Sequence, residues 1–255
     1  MPIRQALDAV RAEVEERFEA MRREMEERFG AANAGRDEVF RPLPEPSGLD
    51  MPLAEALAGR RTERSFSDEP ISDQVLSALL HAADGINRAD GKRTTPSCMN
   101  WQEVDIYALK PNGIWRWIPE RRGMLFCALD DIRRDAYVVP TALTMPPLVL
   151  VYVVDDRRTR SKAASLAEAI VERLKRPEWS SDEIEALRRR ACVLDVGAKI
   201  QSVYLAASAL GIACSARLAF SPGKLEARLK LRPDERVIAA QSIGYRPKSI
   251  LDHIR

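Results

Sequence analysis

Residues 148–154 read Leu-Val-Leu-Val-Tyr-Val-Val, and this nearly continuous apolar run constrains the fold more than any other segment. A strand that is apolar on both sides must be covered on both faces. The run therefore predicts a buried central strand. Further strands are predicted where apolar and polar residues alternate, at 104–109 and 114–118, which are joined by a Pro-Asn-Gly turn, and at 236–243.

Helical patterns alternate with these strands from residue 51 onward, which is an α/β pattern. Ser72 is the predicted N-cap of one helix, with Val75, Leu76, Leu79 and Leu80 on its inner face. A long helix with small residues on one side ends before Gly211. The helices are predicted at 53–59, from Ser72, at 161–175, at 182–190, at 195–210 and at 222–230.

The first 29 residues predict a separate amphipathic helix whose remaining surface is mostly Glu and Arg. Glu-Glu-Arg-Phe occurs at 15–18 and again at 26–29, an eleven-residue spacing that suits straight or slightly right-handed packing. Such a helix drives coiled-coil oligomerisation, docks to another protein, or packs on its own domain. Its apolar face consists of Ile3, Leu7, Val10, Val14, Phe18, Met21, Met25 and Phe29.

A proline- and glycine-rich linker is predicted at 30–50, which leaves 51–255 as the main domain. The net charge of +2 gives no reason to expect nucleic acid as a partner. No apolar run approaches the length that spans a bilayer, and the N-terminus is too charged for a signal peptide. We therefore expect a cytoplasmic protein that has no membrane partner.

The four cysteines are scattered and only two histidines are present. Metal sites need tighter clustering than this, and no arrangement of a hydrolytic triad is visible. We expect reduced thiols and no metal.

Two polar segments carry the chemistry. Residues 60–66, Arg-Arg-Thr-Glu-Arg-Ser-Phe, place three guanidinium groups and two hydroxyls just after a short helix, which suits a phosphate group. Residues 94–103 form a loop whose Pro, Ser, Asn and Gln suit contact with a planar heterocycle. The alternatives are a solvated charge cluster at a helix end and an Asx-turn loop without a ligand.

In this order, and with further matches downstream, the segments resemble the nitroreductase family. Gly91-Lys-Arg-Thr-x-Pro-Ser97 resembles the signature of one branch of it, and Asp195-x-Gly197 and Ile243-Gly-Tyr245 resemble its interface helix and terminal strand. The resemblance covers about residues 51–247. It implies an α+β fold with a central mixed or antiparallel sheet flanked by helices, and FMN bound at a homodimer interface.

Carried over position by position, the resemblance implies a set of cofactor-binding residues. Arg60 and Thr62 would bind the phosphate, together with Arg61 of the same segment, and Arg64 would lie near N1 and O2 of the ring. Pro96, Ser97, Asn100 and Gln102 would approach the flavin of the partner subunit. Leu218 and Ala219 stand where many members have two glycines, in a loop whose backbone contacts flavin N5. Arg246 and Lys248 are the candidates for the C-terminal contribution to phosphate binding.

The predicted function is therefore an FMN-dependent oxidoreductase that passes a hydride from NAD(P)H to a small organic acceptor of nitroaromatic, quinone or enone type. No G-x-G-x-x-G fingerprint is present, so NAD(P)H would bind transiently over the flavin. We expect no catalytic acid or base from the protein. Two alternatives remain open: an FMN-dependent dehydrogenase of a peptide or natural product, and a flavin-fold adaptor with weak turnover.

Overall fold

The computed structural model describes residues 39–137, 145–160 and 180–247. The predicted helices at 1–29 and 161–175, residues 30–38 of the predicted linker, and Lys248 lie outside these ranges. The chain forms two compact units, residues 1–41 and 42–255, and the second carries the fold described here.

A seven-stranded sheet is the centre of this fold, with the strand order β1-β4-β3-β2-β5-β7-β6. The pairs β2–β3, β2–β5, β3–β4, β5–β7 and β6–β7 are all antiparallel. The strands are β1 Phe40–Pro42, β2 Val104–Lys110, β3 Gly113–Ile118, β4 Gly123–Ala128, β5 Leu148–Asp155, β6 Ala213–Arg217 and β7 Glu235–Gly244.

Strand β5 is buried at every position, which confirms the predicted central strand. Its alternate side chains enter two different cores, because successive residues of a strand point to opposite faces. Leu150 and Tyr152 pack in one hydrophobic cluster, whereas Val149, Val151 and Val153 pack in the other. Because both faces of the strand are covered, its odd- and even-numbered positions must both be apolar. This accounts for the unbroken apolar run.

Four labelled helices flank the sheet: α1 Leu53–Gly59, α2 Asp73–Asp84, α3 Ser181–Ala209 and α4 Pro222–Arg228. Residues 156–160 are also helical. The first core cluster contains residues of α2 and α3, and the second contains Leu225 of α4. The predicted α+β architecture of an antiparallel sheet between helices is confirmed. Within the described ranges, no helix is both long enough and apolar enough to cross a membrane.

The cap of α2 is the predicted one, because the Ser72 side chain accepts a hydrogen bond from the Val75 amide. On its inner face Leu76, Leu79 and Leu80 are buried, whereas Val75 is half-buried. The end of the long helix is also correct, since α3 stops at Ala209 and Gly211 has a φ of +67°.

Two predictions about the chain's elements are wrong. The helices predicted at 182–190 and 195–210 are one helix of 29 residues, because no residue between them breaks the turn and a Ser180–Glu183 capping box starts it. Strands β1, β4 and β6 were not predicted, and β1 lies within the predicted linker. All three are short, and their pairing with β4, β3 and β7 is a long-range property that local alternation does not reveal.

Candidate functional site

The arginine-rich segment at 60–66 leaves α1 in an extended conformation and runs beside the ends of β6 and β7. The Glu63 amide donates to the Cys214 carbonyl at 2.9 Å, and the Ser67 amide donates to the Tyr245 carbonyl at 2.8 Å. The Phe66 side chain is buried between these anchors, with 1% of its surface exposed. The second half of the segment is therefore fixed at Glu63 and Ser67, while Thr62 stays exposed just before the first anchor.

Tyr204, on the last third of α3, organises the first half of this segment. Its hydroxyl accepts the Ala216 amide at 2.7 Å and the Thr62 hydroxyl at 3.4 Å. The Arg60 guanidinium lies 5.4 Å from the centre of the Tyr204 ring and 3.5 Å from the Thr62 oxygen. A cation over an aromatic face is attracted by the ring quadrupole. Arg60 and Thr62 are therefore brought together.

Two other predicted phosphate ligands, Arg246 and Arg61, make different contacts. Arg246 joins the segment, because its guanidinium contacts both carboxylate oxygens of Glu63 at 2.8–3.1 Å and donates to the Gly211 carbonyl at 2.6 Å. Arg61 instead donates to the Ala58 carbonyl at 2.8 Å and to the Arg60 carbonyl at 3.2 Å, within its own turn.

A second cationic pair lies at the end of β6. The Arg217 guanidinium stacks 3.8 Å from the centre of the Tyr137 ring, and its Nε donates to the Ser242 hydroxyl at 3.0 Å. Burial lowers the pKa of Arg217, and the charge of the neighbouring Arg64 acts in the same direction. Neighbouring guanidinium groups repel each other, and an anion placed beside them relieves the repulsion.

Leu218 and Ala219 follow Arg217 directly and are exposed, with 75% of the Leu218 surface accessible. The Phe220 amide donates a hydrogen bond to the Leu218 carbonyl at 3.1 Å. The pair therefore forms an exposed turn directly after Arg217, which is where a loop in contact with a ligand would lie.

Within the predicted heterocycle loop at 94–103, residues 96–102 have an unusual backbone. Met99, Asn100 and Gln102 have φ values of 52°, 53° and 51°, a region that costs free energy for residues other than glycine. The Ser97 hydroxyl accepts the Gln102 amide at 2.8 Å and closes the loop. The Gln102 side chain donates to the Asn100 side chain at 3.0 Å, so these two predicted residues lie together, whereas Pro96 is exposed on its own.

A buried acidic pair lies under this loop. The Ser97 hydroxyl donates to Glu103 Oε2 at 3.1 Å, and the Cys98 amide donates to Asp195 Oδ2 at 2.7 Å. Glu103 has none of its surface exposed and Asp195 has 3%. Burial first, and then the neighbouring Asp195, raise the pKa of Glu103 to about 7.

The thiol of Cys98 is half-buried in the same loop. Burial first, and then the charges of Asp195 and Glu103, raise its pKa, which disfavours the reactive thiolate. The structure therefore supports the expectation of a packed thiol. Among the described residues, no group of three or more His, Cys, Asp and Glu side chains has the geometry to hold a metal ion.

Tyr204, Tyr137, Glu103 and Asp195 are the residues at these sites to which the sequence alone assigned no chemical role. Tyr204 and Asp195 both lie on α3, nine residues apart, or about 13 Å along the helix axis. Glu103 is the last residue of the predicted loop, and an acidic residue directly before an apolar strand is a signal that burial would perturb its pKa.

Comparisons of the sequence and of the fold relate this chain to known proteins. Residues 57–120 match the sequence model of the nitroreductase family, and this stretch contains both the arginine-rich segment and the loop. A candidate nitroreductase of Methanocaldococcus jannaschii is 22% identical over 192 residues, which are 72% of this chain and 86% of that protein.

Solved structures share the fold. The crystal structure of a candidate nitroreductase from Ralstonia eutropha superposes with a TM-score of 0.69 at 27% identity, and the match covers 85% of this chain and 93% of that one. A candidate NAD(P)H:FMN oxidoreductase from Staphylococcus epidermidis gives a TM-score of 0.52 at 14% identity, with 84% and 98% covered. The fold that the resemblance implied is thus confirmed, and the family model supports the resemblance over residues 57–120.

Proposed function

We propose that this chain is an FMN-dependent oxidoreductase of the nitroreductase family, whose sequence model residues 57–120 match and whose fold it shares. It takes a hydride from NAD(P)H and delivers it, through bound FMN, to a small organic acceptor. The acceptor class we propose is nitroaromatic, quinone or enone.

One observation carries this proposal: the segment at 60–66 presents Arg60 and Thr62 together at the Tyr204 hydroxyl, with Arg246 tied to the adjacent Glu63. Guanidinium forks and a hydroxyl are the donors that a phosphate group binds best. The Thr62 side chain is held by Tyr204 from within the fold and stays open to solvent on its outer side. The residues therefore fit the FMN phosphate.

The ring end of the proposed site fits as well. Arg64 and Arg217 form a like-charged pair, and an electron-rich heterocycle beside them relieves their repulsion. Bound FMN would supply the hydride chemistry at its ring. Arg64 and Arg217 would stabilise the negative charge that the ring gains on reduction, and the exposed turn at Leu218 and Ala219 would limit access of water to that face.

We also propose that the protein works as a homodimer. Helix α3 exposes Val193 and Leu194, with 56% and 73% of their surfaces accessible, and nothing lies within 4 Å of a Cβ added at Gly197 on the same helix. Exposed apolar residues beside a small one suit close packing against a second helix. In such a dimer the loop at 96–102 would reach the partner subunit's flavin, as the resemblance implies.

The test is the visible absorbance spectrum of the purified protein, followed by anaerobic addition of NADH and NADPH. We expect a flavin band that one or both donors bleach. A band that neither donor bleaches would favour the adaptor alternative. A colourless protein that FMN does not reconstitute would overturn the cofactor assignment.

Substitutions make the test specific to the site. A charged hydrogen bond contributes about 1.5–3 kcal/mol, so Arg60→Ala should raise the FMN dissociation constant roughly 10- to 150-fold. Arg189→Ala is the matched control, because Arg189 lies on the exposed surface of α3 and pairs with Glu185. Equal FMN affinity in the two variants would show that Arg60 does not bind the phosphate.

A further inference from the structure

Glu103 and Asp195 form a buried acidic pair. One of its oxygen atoms lacks a hydrogen-bond partner unless a proton lies between the two carboxyl groups. Glu103 Oε2 accepts the Ser97 hydroxyl, but Glu103 Oε1 is buried without a donor among the described groups. The Asp195 carboxyl group is a neighbour of Glu103 and raises its pKa. Two ionised carboxylates only accept hydrogen bonds, so neither can satisfy the other.

One proton on the pair resolves this arrangement. A protonated Glu103 donates from Oε1 to Asp195, while Oε2 still accepts from Ser97. Asp195 then remains the acceptor for the Cys98 amide, at 2.7 Å from its Oδ2. Glu103 Oε1 thereby gains a partner, whereas two buried negative charges side by side would be strongly disfavoured.

The loop at 96–102 has a strained backbone that must be held by hydrogen bonds of this kind. Met99, Asn100 and Gln102 all have positive φ, and residues in this region persist only where the surroundings over-determine them. Among the contacts that do so are the Ser97 bonds to Glu103 and to the Gln102 amide, and the Cys98 bond to Asp195. The Arg158 guanidinium also donates to the Gln102 carbonyl at 2.8 Å. The acidic pair therefore holds the start of the strained turn directly and its end through Ser97.

We propose that Glu103 and Asp195 share one proton, and that this shared proton locks the loop at 96–102 in the conformation that contacts FMN. Glu103 is in this sense a positioning residue, acting through Ser97 and Gln102. The inference rests on the proposed function, because it is the flavin contact of the loop that gives the lock its consequence.

The pH dependence follows from the groups around Glu103. Its pKa is raised from 4.5 to about 7, so the folded protein binds this proton more tightly than the unfolded chain does. The stabilisation is complete below the unfolded pKa and is lost as the pH rises through about 7. The titratable groups that face Glu103 are Asp195 and Cys192 from α3 and Cys98 from the loop.

FMN affinity as a function of pH tests the proposal. We would measure the dissociation constant at about pH 6 and about pH 8, one unit on either side of the pKa of about 7. Ionisation of nine-tenths of the protein at the higher pH should weaken wild-type binding about tenfold. The FMN phosphate itself titrates near pH 6. At each pH the wild-type dissociation constant is therefore divided by that of Glu103→Gln, because the cofactor titrates identically in both measurements.

Glu103→Gln is the informative variant because its amide donates to Asp195 and accepts from Ser97 at every pH. It should bind FMN at pH 6 like the wild type and lack the tenfold loss at pH 8. Asp195→Asn, whose amide oxygen still accepts the Cys98 amide, should lose the pH dependence in the same way. A purely structural role for Glu103 would leave the wild-type and Glu103→Gln profiles parallel, and that result overturns the proposal.

Hydrogen exchange of residues 96–103 in the cofactor-free protein separates this inference from the proposed function. After correction for the intrinsic rate, wild-type exchange at pH 8 should exceed that of Glu103→Gln by about tenfold, and the two should agree at pH 6. Equal exchange at both pH values refutes the shared proton. If no variant binds FMN but the exchange difference is present, the proposed function fails and the shared proton stands.

Discussion

Replacing Gly244 by alanine tests whether the position of the arginine-rich segment depends on its packing against the end of the sheet. Gly244 is the last residue of β7 and pairs with Ala213 of β6. A Cβ built there lies 2.8 Å from Cδ of Pro147 and 3.0 and 3.1 Å from two carbons of Phe66. Contacts under 3.0 Å are not tolerated, so a neighbour must move.

The size of the effect depends on which neighbour yields. The Pro147 ring is rigid, so the backbone at residue 244 must shift away from it. Phe66, which is almost completely buried and is followed by the anchored Ser67 amide, must give way as well. Overpacking a core of this kind costs about 1–3 kcal/mol of unfolding free energy. For a domain of this size, that lowers Tm by about 2–4 °C per kcal/mol. Because Arg64 lies two residues before Phe66, FMN affinity should fall together with stability.

The assay is urea unfolding combined with FMN titration of the same preparations. Gly223→Ala is the matched control, since Gly223 lies in α4 and no atom stands within 4 Å of an added Cβ. We expect Gly223→Ala to leave both quantities within error or to stabilise slightly. If Gly244→Ala has unchanged stability and unchanged FMN affinity, the segment is not held by this packing and the reasoning is refuted.

Three further substitutions probe α3. Tyr204→Phe removes the acceptor of the Ala216 amide and should cost about 1–3 kcal/mol in urea unfolding while weakening FMN binding; unchanged values would contradict the role of the hydroxyl. Lys199→Met leaves Asp84 without its closest cation, 2.6 Å away, and should cost about 3–5 kcal/mol at neutral pH, also measured by unfolding. Gly197→Ala should stabilise an isolated helix by up to about 1 kcal/mol but weaken a dimer packed at Gly197, which sedimentation equilibrium distinguishes.

The sequence predicted the elements whose signals are local. The unbroken apolar run of β5, the Ser72 cap and the helix end before Gly211 are each determined by residues within one segment. The segment at 60–66 was identified for the same reason, since its chemistry lies in consecutive residues. Arg60 and Thr62 were brought together, and Arg246 was brought to the same segment.

What the sequence did not predict depends on contacts between distant residues. Tyr204 meets Thr62 across 142 positions, and Cys98 meets Asp195 across 97. The periodicity of the sequence does not reveal such a contact, because an aromatic or acidic residue on a helix can equally well face solvent or pack against neighbouring residues of the same helix. Arg61 shows the converse, because a residue of suitable chemistry in a suitable segment turned into its own backbone.

Helix α3 connects these separate findings. Its Asp195 holds the loop at 96–102, its Lys199 neutralises Asp84 of α2, and its Tyr204 holds the segment at 60–66. All three act through side chains that are nine-tenths buried or more, so none can follow a displaced backbone without losing its partner. The same helix exposes Val193 and Leu194, where we propose the dimer contact. A rigid helix transmits a shift of one face to the other, and so dimer formation and cofactor binding should weaken together when either face is changed.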